Sequence, residues 1–275
     1  MNKKQPIVFL LDFDGTMQGN IRPQIEEFNL ITNLNKIILN SKKIKYNTEF
    51  LVNDMVSGLM RPDLKRSLIK MKQRHPNIEF YIYTASQDEW ANFILPKFCH
   101  YLNDKLPLIN KPFFTRKHCE SDGTKSIKRV KRMIETNLHS KYRNKYDSKL
   151  EIESIYLIDN NFVLPKKELS HLVYCPTYDF KMSIDLLRTI DKTLVLKYYK
   201  EIAAMLFENP DVSNHVEFMY RYYEQLHTQM KTDHETNKAY LRDDYWSKVA
   251  NVVTTYELSH KANIAKMINK LCRIK

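Results

Sequence analysis

Cysteine is scarce in this chain of 275 residues, and its placement excludes more than it offers. Cys99, Cys119, Cys175 and Cys272 lie far apart and form no CxxC pair. A zinc site or a disulfide framework is therefore not expected, and a reducing compartment fits best. Long apolar runs are missing too: none approaches the ~18 residues of a membrane-spanning helix. Met1 to Pro6 leads straight into a short apolar run and leaves no room for a signal peptide. The expectation is a soluble intracellular protein of the nucleus or cytoplasm, with no membrane partner. No internal repeat is evident. Acidic residues are the minority charge, 32 against 44 basic, a net of +12. Such an excess favours acidic partners, nucleic acid or phosphorylated protein. A Lys-, Asn- and Ile-rich codon bias explains it about as well. That bias fits an AT-rich genome, such as that of a parasite or a large DNA virus; in the latter case a virus factory or virion is the expected location.

What is present is a globular composition, 43% hydrophobic and 12% aromatic, on a chain long enough for one good-sized domain with an appendage, or for two domains. Ile7 to Leu11 is an apolar run suited to a strand buried on both faces. It ends in Asp12-Phe13-Asp14-Gly15-Thr16. In an extended chain Asp12 and Asp14 point the same way, and like charges that close need a bound cation or a shared proton. Mg²⁺ suits such a pair, being held by few carboxylates together with waters and phosphate oxygens.

Further along, Glu26 to Asn40 has near-helical apolar spacing, and Met60-Arg61-Pro62-Asp63-Leu64 opens a helix running to about Arg74. A second apolar run, Ile78 to Tyr83, ends in Thr84-Ala85-Ser86, and Gln87 to Phe98 reads as the next helix. Residues 102–118 read as short strands or loops, Lys125 to about Leu138 as a very basic helix, and 141–150 as a charged surface loop. A third run, Ile152 to Ile158, ends in Asp159-Asn160-Asn161, and a fourth, His171 to Cys175, ends at Pro176. Strands alternating with helices predict a parallel α/β sheet. Three of its strands would then finish in polar residues at one edge, where such sheets bind ligands. Beyond Leu194 no strand-like run remains, and 195–275 reads as helices rich in Tyr and Met, with breaks at Asn209-Pro210 and Lys231 to Asn237. This stretch holds 12 basic and 10 acidic residues, so most of the net charge belongs to the first part.

These motifs resemble the haloacid dehalogenase-like (HAD) phosphatases, and among them the FCP/SCP branch that dephosphorylates the C-terminal domain of RNA polymerase II. The matching residues are Asp12-Phe13-Asp14-Gly15-Thr16; Arg61-Pro62; Tyr83-Thr84-Ala85-Ser86 with Trp90-Ala91; Lys125, after Arg116 and Cys119; and Asp159-Asn160. Asn161-Phe162 replaces the usual Ser-Pro, and the segment between Thr16 and Arg61 is long. A charged insert also sets Lys125 unusually far from Asp159, which leaves Lys128 as an alternative for the lysine role. The likeness covers about residues 5–194, with Asp185-Leu186-Leu187 resembling the closing helix of the family.

The resemblance implies a HAD-like Rossmannoid parallel sheet flanked by helices over 1–194, with an insertion at about 17–58 beside the site, and an all-α extension over 195–275. It implies Asp12 as nucleophile and Asp14 as general acid and base. Thr84 and Lys125 would hold the phosphate, and Mg²⁺ would be bound by Asp12, Asp14, Asp159 and Asn160. The leading function is then a phosphatase for phosphoserine or phosphothreonine in an extended protein segment, such as polymerase repeats. No large cap domain is evident, in keeping with a site open to peptides. The alternatives are a nucleic-acid end phosphatase or nucleotidase using the basic surface, and a HAD-fold scaffold on a transcription or assembly complex. The helical tail is expected to bind a protein partner or to oligomerise.

Overall fold

The computed structural model describes residues 5–38, 43–103, 107–142, 150–256, 258 and 264–272. The expected charged loop at 141–150 falls largely outside the described residues. Two compact units emerge, each made of separate stretches: Met1–Gly19 with Met60–Asp179 and Arg242–Lys275, and Asn20–Leu59 with Phe180–Leu241. The sequence suggests one cut near 194 instead. Among the described residues no helix is long and apolar enough to cross a membrane.

The first unit is built on a five-stranded parallel sheet: β1 (Ile7–Leu11), β2 (Ile78–Tyr83), β3 (Ile109–Phe114), β4 (Ile155–Asp159) and β5 (Leu172–Tyr174), in the order β3-β2-β1-β4-β5. Leu10 lies opposite Tyr81 on one side and Leu157 on the other, so β1 is the centre. The chain steps outward from β1 to β3, then returns to the far side of β1 for β4 and β5. That reversal leaves a crevice at the carboxyl ends of β1 and β4, where no crossover covers the sheet. β1 is apolar throughout, and β4 is so up to its final Asp159 apart from the Tyr156 hydroxyl, because both faces are buried.

Helices flank the sheet. In the second unit lie α1 (Arg22–Ile37) and α2 (Thr48–Asp54); the first unit resumes with α3 (Leu64–Arg74), α4 (Asp88–Asn103) and α5 (Ile127–Lys141). Helix α5 lays Ile127, Val130, Ile134 and Leu138 on the face formed by Val8, Leu10, Tyr81, Ile155 and Leu157. The spacing of those four residues is that of one helical stripe. Then follow α6 (Lys192–Lys197), α7 (Tyr199–Leu206), α8 (His215–Thr236), α9 (Tyr245–Thr255) and α10 (Ile264–Leu271).

The C-terminal helices are divided between the units, for chemical reasons. Arg61, fully buried, grips Asp243 with two hydrogen bonds of 2.8 and 2.7 Å and donates to the Pro176 carbonyl at 2.8 Å. Its guanidinium is stacked between Tyr178 and Tyr245. Lys70 reaches Asn251, and Ser247 reaches Asp63, both at 2.7 Å, fastening α9 to α3. On α10, Asn269 accepts from Tyr174 N–H and donates to the Leu172 carbonyl, completing the exposed edge of β5 as another strand would. Arg61→Met is expected to cost about 2–4 kcal/mol, because Asp243 loses its partner while mostly buried. Chemical denaturation with α9 fluorescence from Trp246 reads the loss.

In the second unit Arg188 is held by Glu27 and Asp54, at 2.9 and 2.7 Å, with Tyr46 and Thr189 also donating to Glu27. Two expectations are corrected here. Residues 186–189 form turns rather than a closing helix, with Asp185 accepting from Leu187 N–H. The break expected over Lys231 to Asn237 falls at the end of that span: Lys231 to Thr236 continues α8 and Asn237 caps it, since polarity alone does not end a helix.

Candidate active site

Asp12 directly follows β1, and its N–H still donates to the Ile158 carbonyl at 2.9 Å, so ladder pairing fixes its backbone. The chain then turns at Gly15, whose φ of +75° favours glycine. A Cβ there would come within 2.8 Å of the Asn160 side chain, so the loops after β1 and β4 meet through a residue with no side chain. Trp246 of α9, wholly buried, donates its indole N–H to the Thr16 carbonyl at 3.1 Å and holds the same loop from behind.

Lys125 is the other fixed point. It precedes α5 rather than lying on it, and its loop is pinned by three backbone donors. Lys125 N–H donates to the Val163 carbonyl, Ser126 N–H to the Tyr83 hydroxyl, and Ile127 N–H to the buried Glu168 carboxylate. The side chain is buried, 2% exposed, and its ammonium bridges Asp12 at 2.5 Å and Asp159 at 2.6 Å. Lys128 is exposed, so it is Lys125 that the structure brings to the aspartates. Asp159 is fixed from its other oxygen by Asn161 N–H at 2.8 Å.

Asp14 is held by two donors. Ser86 Oγ donates to its Oδ2 at 2.6 Å and Gln18 Nε2 to its Oδ1 at 3.3 Å. The Thr84 hydroxyl donates to Ser86 Oγ and accepts from Ser86 N–H, both at 3.1 Å. Thr84, Ser86 and Asp14 thus form one hydrogen-bonded chain across the ends of β2 and β1. Ser86 lies inside a motif the sequence displays, although only Thr84 is assigned a role there. Gln18 and Trp246 carry no local signal; only the fold reveals them.

Three carboxylates surround one ammonium, and the site is short of positive charge. Burial pushes the Asp12 carboxyl up to about 7, opposed by Lys125 and reinforced by Asp159 and Asp14. Burial also raises Asp14, against the hydrogen bonds from Ser86 and Gln18. Burial weakens the Lys125 ammonium, but the two aspartates outweigh it and hold the proton on.

The Asn160 carboxamide lies beside these carboxylates. With Oδ1 inward it accepts from Thr16 Oγ1 at 3.3 Å and from Asn161 Nδ2 at 3.2 Å, and that oxygen also lies 3.3 Å from Asp12 Oδ2 and 3.1 Å from the Asp14 backbone carbonyl oxygen. Turned over, its NH₂ donates to both. In the absence of a cation the second orientation is favoured; a small hard cation among the three oxygens favours the first. Among the described residues there is no group of three or more His, Cys, Asp or Glu side chains set to hold a metal. This candidate set is one carboxylate, one backbone carbonyl and one amide, a donor set that fits Mg²⁺.

Among solved structures the chain is similar to Fcp1, described as an essential RNA polymerase II CTD phosphatase. The identity is 14%, over 96% of this chain and 70% of that one, with a TM-score of 0.37. No protein-family profile and no curated protein matches the sequence.

Proposed function

We propose that the chain is a Mg²⁺-dependent phosphatase of the HAD type, working through an aspartyl-phosphate on Asp12. We take its substrate to be phosphoserine or phosphothreonine in an extended protein segment. One observation carries the reading: the buried Lys125 joins the aspartates that end β1 and β4, beside the Asp14–Ser86–Thr84 chain that ends β2. Buried carboxylates gathered at the carboxyl ends of a parallel sheet, in excess of the positive charge beside them, support a functional site there.

The Asp12 carboxylate attacks phosphorus, the bond from phosphorus to the ester oxygen breaks, and the departing oxygen takes the proton held on Asp14. Water then attacks the acyl-phosphate, Asp14 takes its proton, and inorganic phosphate leaves with Asp12 restored. Ser86 and Gln18 keep Asp14 in position through both halves. Lys125 and Thr84 present donors to the phosphoryl oxygens. Asp12, the Asp14 carbonyl and Asn160, with Asp159 adjacent, would hold Mg²⁺, which when bound would supply charge compensation for a carboxylate approaching an anionic ester. The preference for a protein substrate rests on the Arg61-Pro62 and Thr84-Ala85-Ser86 resemblance.

The test is turnover of phosphoserine and phosphothreonine peptides, a generic aryl phosphate and 3′-phosphorylated oligonucleotides, with and without Mg²⁺. Preference for the peptides is expected. No Mg²⁺-dependent turnover of any of the three overturns the catalytic reading, and preference for oligonucleotides overturns the substrate class.

A pH dependence follows as well. Asp12 titrates near 7 in the fold, against 3.8 for an aspartate open to water, so the native protein holds a proton that the unfolded chain has lost. Stability of the Mg²⁺-free protein therefore falls as pH rises from about 4 to about 7. Above that window the bare carboxylate is ionised and a cation offsets its burial. Millimolar Mg²⁺ is expected to raise Tm more at about pH 8 than at about pH 5, measured by scanning calorimetry in matched ionic strength.

A further inference from the structure

Phe162 is 74% exposed, more than any other large apolar side chain among the described residues, and the proposed chemistry does not use it. Its backbone is nonetheless pinned on both sides by groups of the candidate site. Asn161 N–H donates to Asp159 at 2.8 Å, and the Val163 carbonyl accepts from Lys125 N–H at 2.8 Å. The ring is held too, stacked on Tyr174 with centroids 5.0 Å apart and planes 15° from parallel. Tyr174 lies opposite Asp159 in the pairing of β5 with β4. Residues so paired share a face of the sheet, on strands about 4.8 Å apart. The stack therefore stands beside Asp159, with one face of Phe162 against Tyr174 and the other open to solvent.

We propose that Phe162 determines specificity at this site: its open face receives a planar aromatic side chain that the substrate carries within two residues of its phosphorylated serine or threonine. The inference rests on the phosphatase reading and narrows its substrate class. The reach matches. Phe162 follows Asp159 by three residues, a span of at most about 10 Å. Two residues of an extended peptide cover about 7 Å, and the length of an aromatic side chain extends that further.

A flat ring lying against Tyr174 has no concavity to enclose an aliphatic side chain, whereas a second ring stacked on it gains more than the apolar area covered. Because the loop is anchored at Asn161 and Val163, little ordering is left to be done when a substrate arrives. A nucleobase would stack equally well, but its backbone needs cations to follow. The span from Asp159 to Pro165 carries no basic side chain, and Lys125 is committed to Asp12 and Asp159. An amino-acid ring is thus the better match.

The test uses phosphoserine peptides with phenylalanine, leucine or alanine at each of the two positions on either side of the phosphoserine. Kd is read by fluorescence anisotropy on full-length Asp12→Asn protein, so that binding is measured without turnover. Phenylalanine at its preferred position is expected to bind about 5- to 10-fold more tightly than leucine or alanine there. Adding Phe162→Ala should bring the three peptides within about twofold of one another, and Phe162→Trp should keep the preference. With the parent enzyme the same preference should appear in KM and not in kcat, because the ring lies away from the bond that breaks. Tm of Phe162→Ala should stay near the parent value, since the ring is mostly in water. No ring preference, a preference that survives Phe162→Ala, or leucine equal to phenylalanine would each overturn the inference while leaving the phosphatase reading intact. Ring-dependent binding by a parent that turns over no phosphopeptide would overturn the catalytic reading and not this one. A 3′-phosphorylated oligonucleotide that binds more tightly than any of the peptides, and loses that advantage with Phe162→Ala, would overturn the peptide class.

Discussion

Asp12→Asn is expected to remove turnover almost completely, by about 10⁴-fold or more in kcat, the scale on which loss of a nucleophile acts. The same substitution should leave the Mg²⁺-free protein as stable as the parent or more so. Lys125 faces Asp12 and Asp159 together, and Asp14 lies within the same buried cluster, so three carboxylates share one ammonium. An amide at position 12 still accepts from Lys125 but brings no charge. The pairing of lost activity with retained or raised Tm marks a site whose charges are arranged for chemistry at some expense in stability. Single-turnover assays and thermal denaturation in chelator read the two sides. A variant that keeps more than about a hundredth of the parent rate, or that melts well below it, contradicts the role given to Asp12.

The architecture was legible where local patterns carry it. Buried strands announce themselves as apolar runs, and β1, β2, β4 and β5 lie close to where those runs place them. The polar tips Asp12, Thr84 and Asp159 could be read as converging because a parallel sheet aligns its carboxyl ends. What could not be read is whatever depends on residues far apart in the chain. The Arg61–Asp243 pair spans 182 positions, and Trp246 reaches Thr16 across 230. Neither has a sequence period or spacing, so the tail looks like an appendage until its α9 is seen to be fastened to α3. The second compact unit is hidden for the same reason: two stretches, Asn20–Leu59 and Phe180–Leu241, form it from either side of most of the sheet-forming segments, joined through Arg188, Glu27 and Asp54. A linear reading sees only an insertion and a tail, and so finds no separate domain. Gln18 escapes because its role comes from the turn at Gly15, which brings its amide to a carboxylate four residues earlier.

Lys125→Met should be the most damaging single change to the fold as well as to activity. Removing the ammonium leaves Asp12 and Asp159 facing each other with their partner gone, 6% and 1% exposed. Breaking a buried ion pair from one side costs about 3–5 kcal/mol, and here two carboxylates are stranded at once. A fall in Tm on the order of 10 °C is expected, and with it loss of turnover. Millimolar Mg²⁺ should recover part of the stability, because a cation near Asp12 replaces some of the missing charge, but not the rate, because the fixed ammonium no longer faces the phosphoryl oxygens and Thr84 alone brings no charge to them. Lys128→Met is the control: its side chain is exposed on α5, and both Tm and kcat should stay near the parent values. Lys125→Arg should fail to rescue, since a branched guanidinium does not fit a pocket in which a single ammonium sits 2.5 and 2.6 Å from its two partners. A Lys125→Met protein that melts with the parent would show that the aspartates are not held together by this lysine, and the site built around it would have to be abandoned.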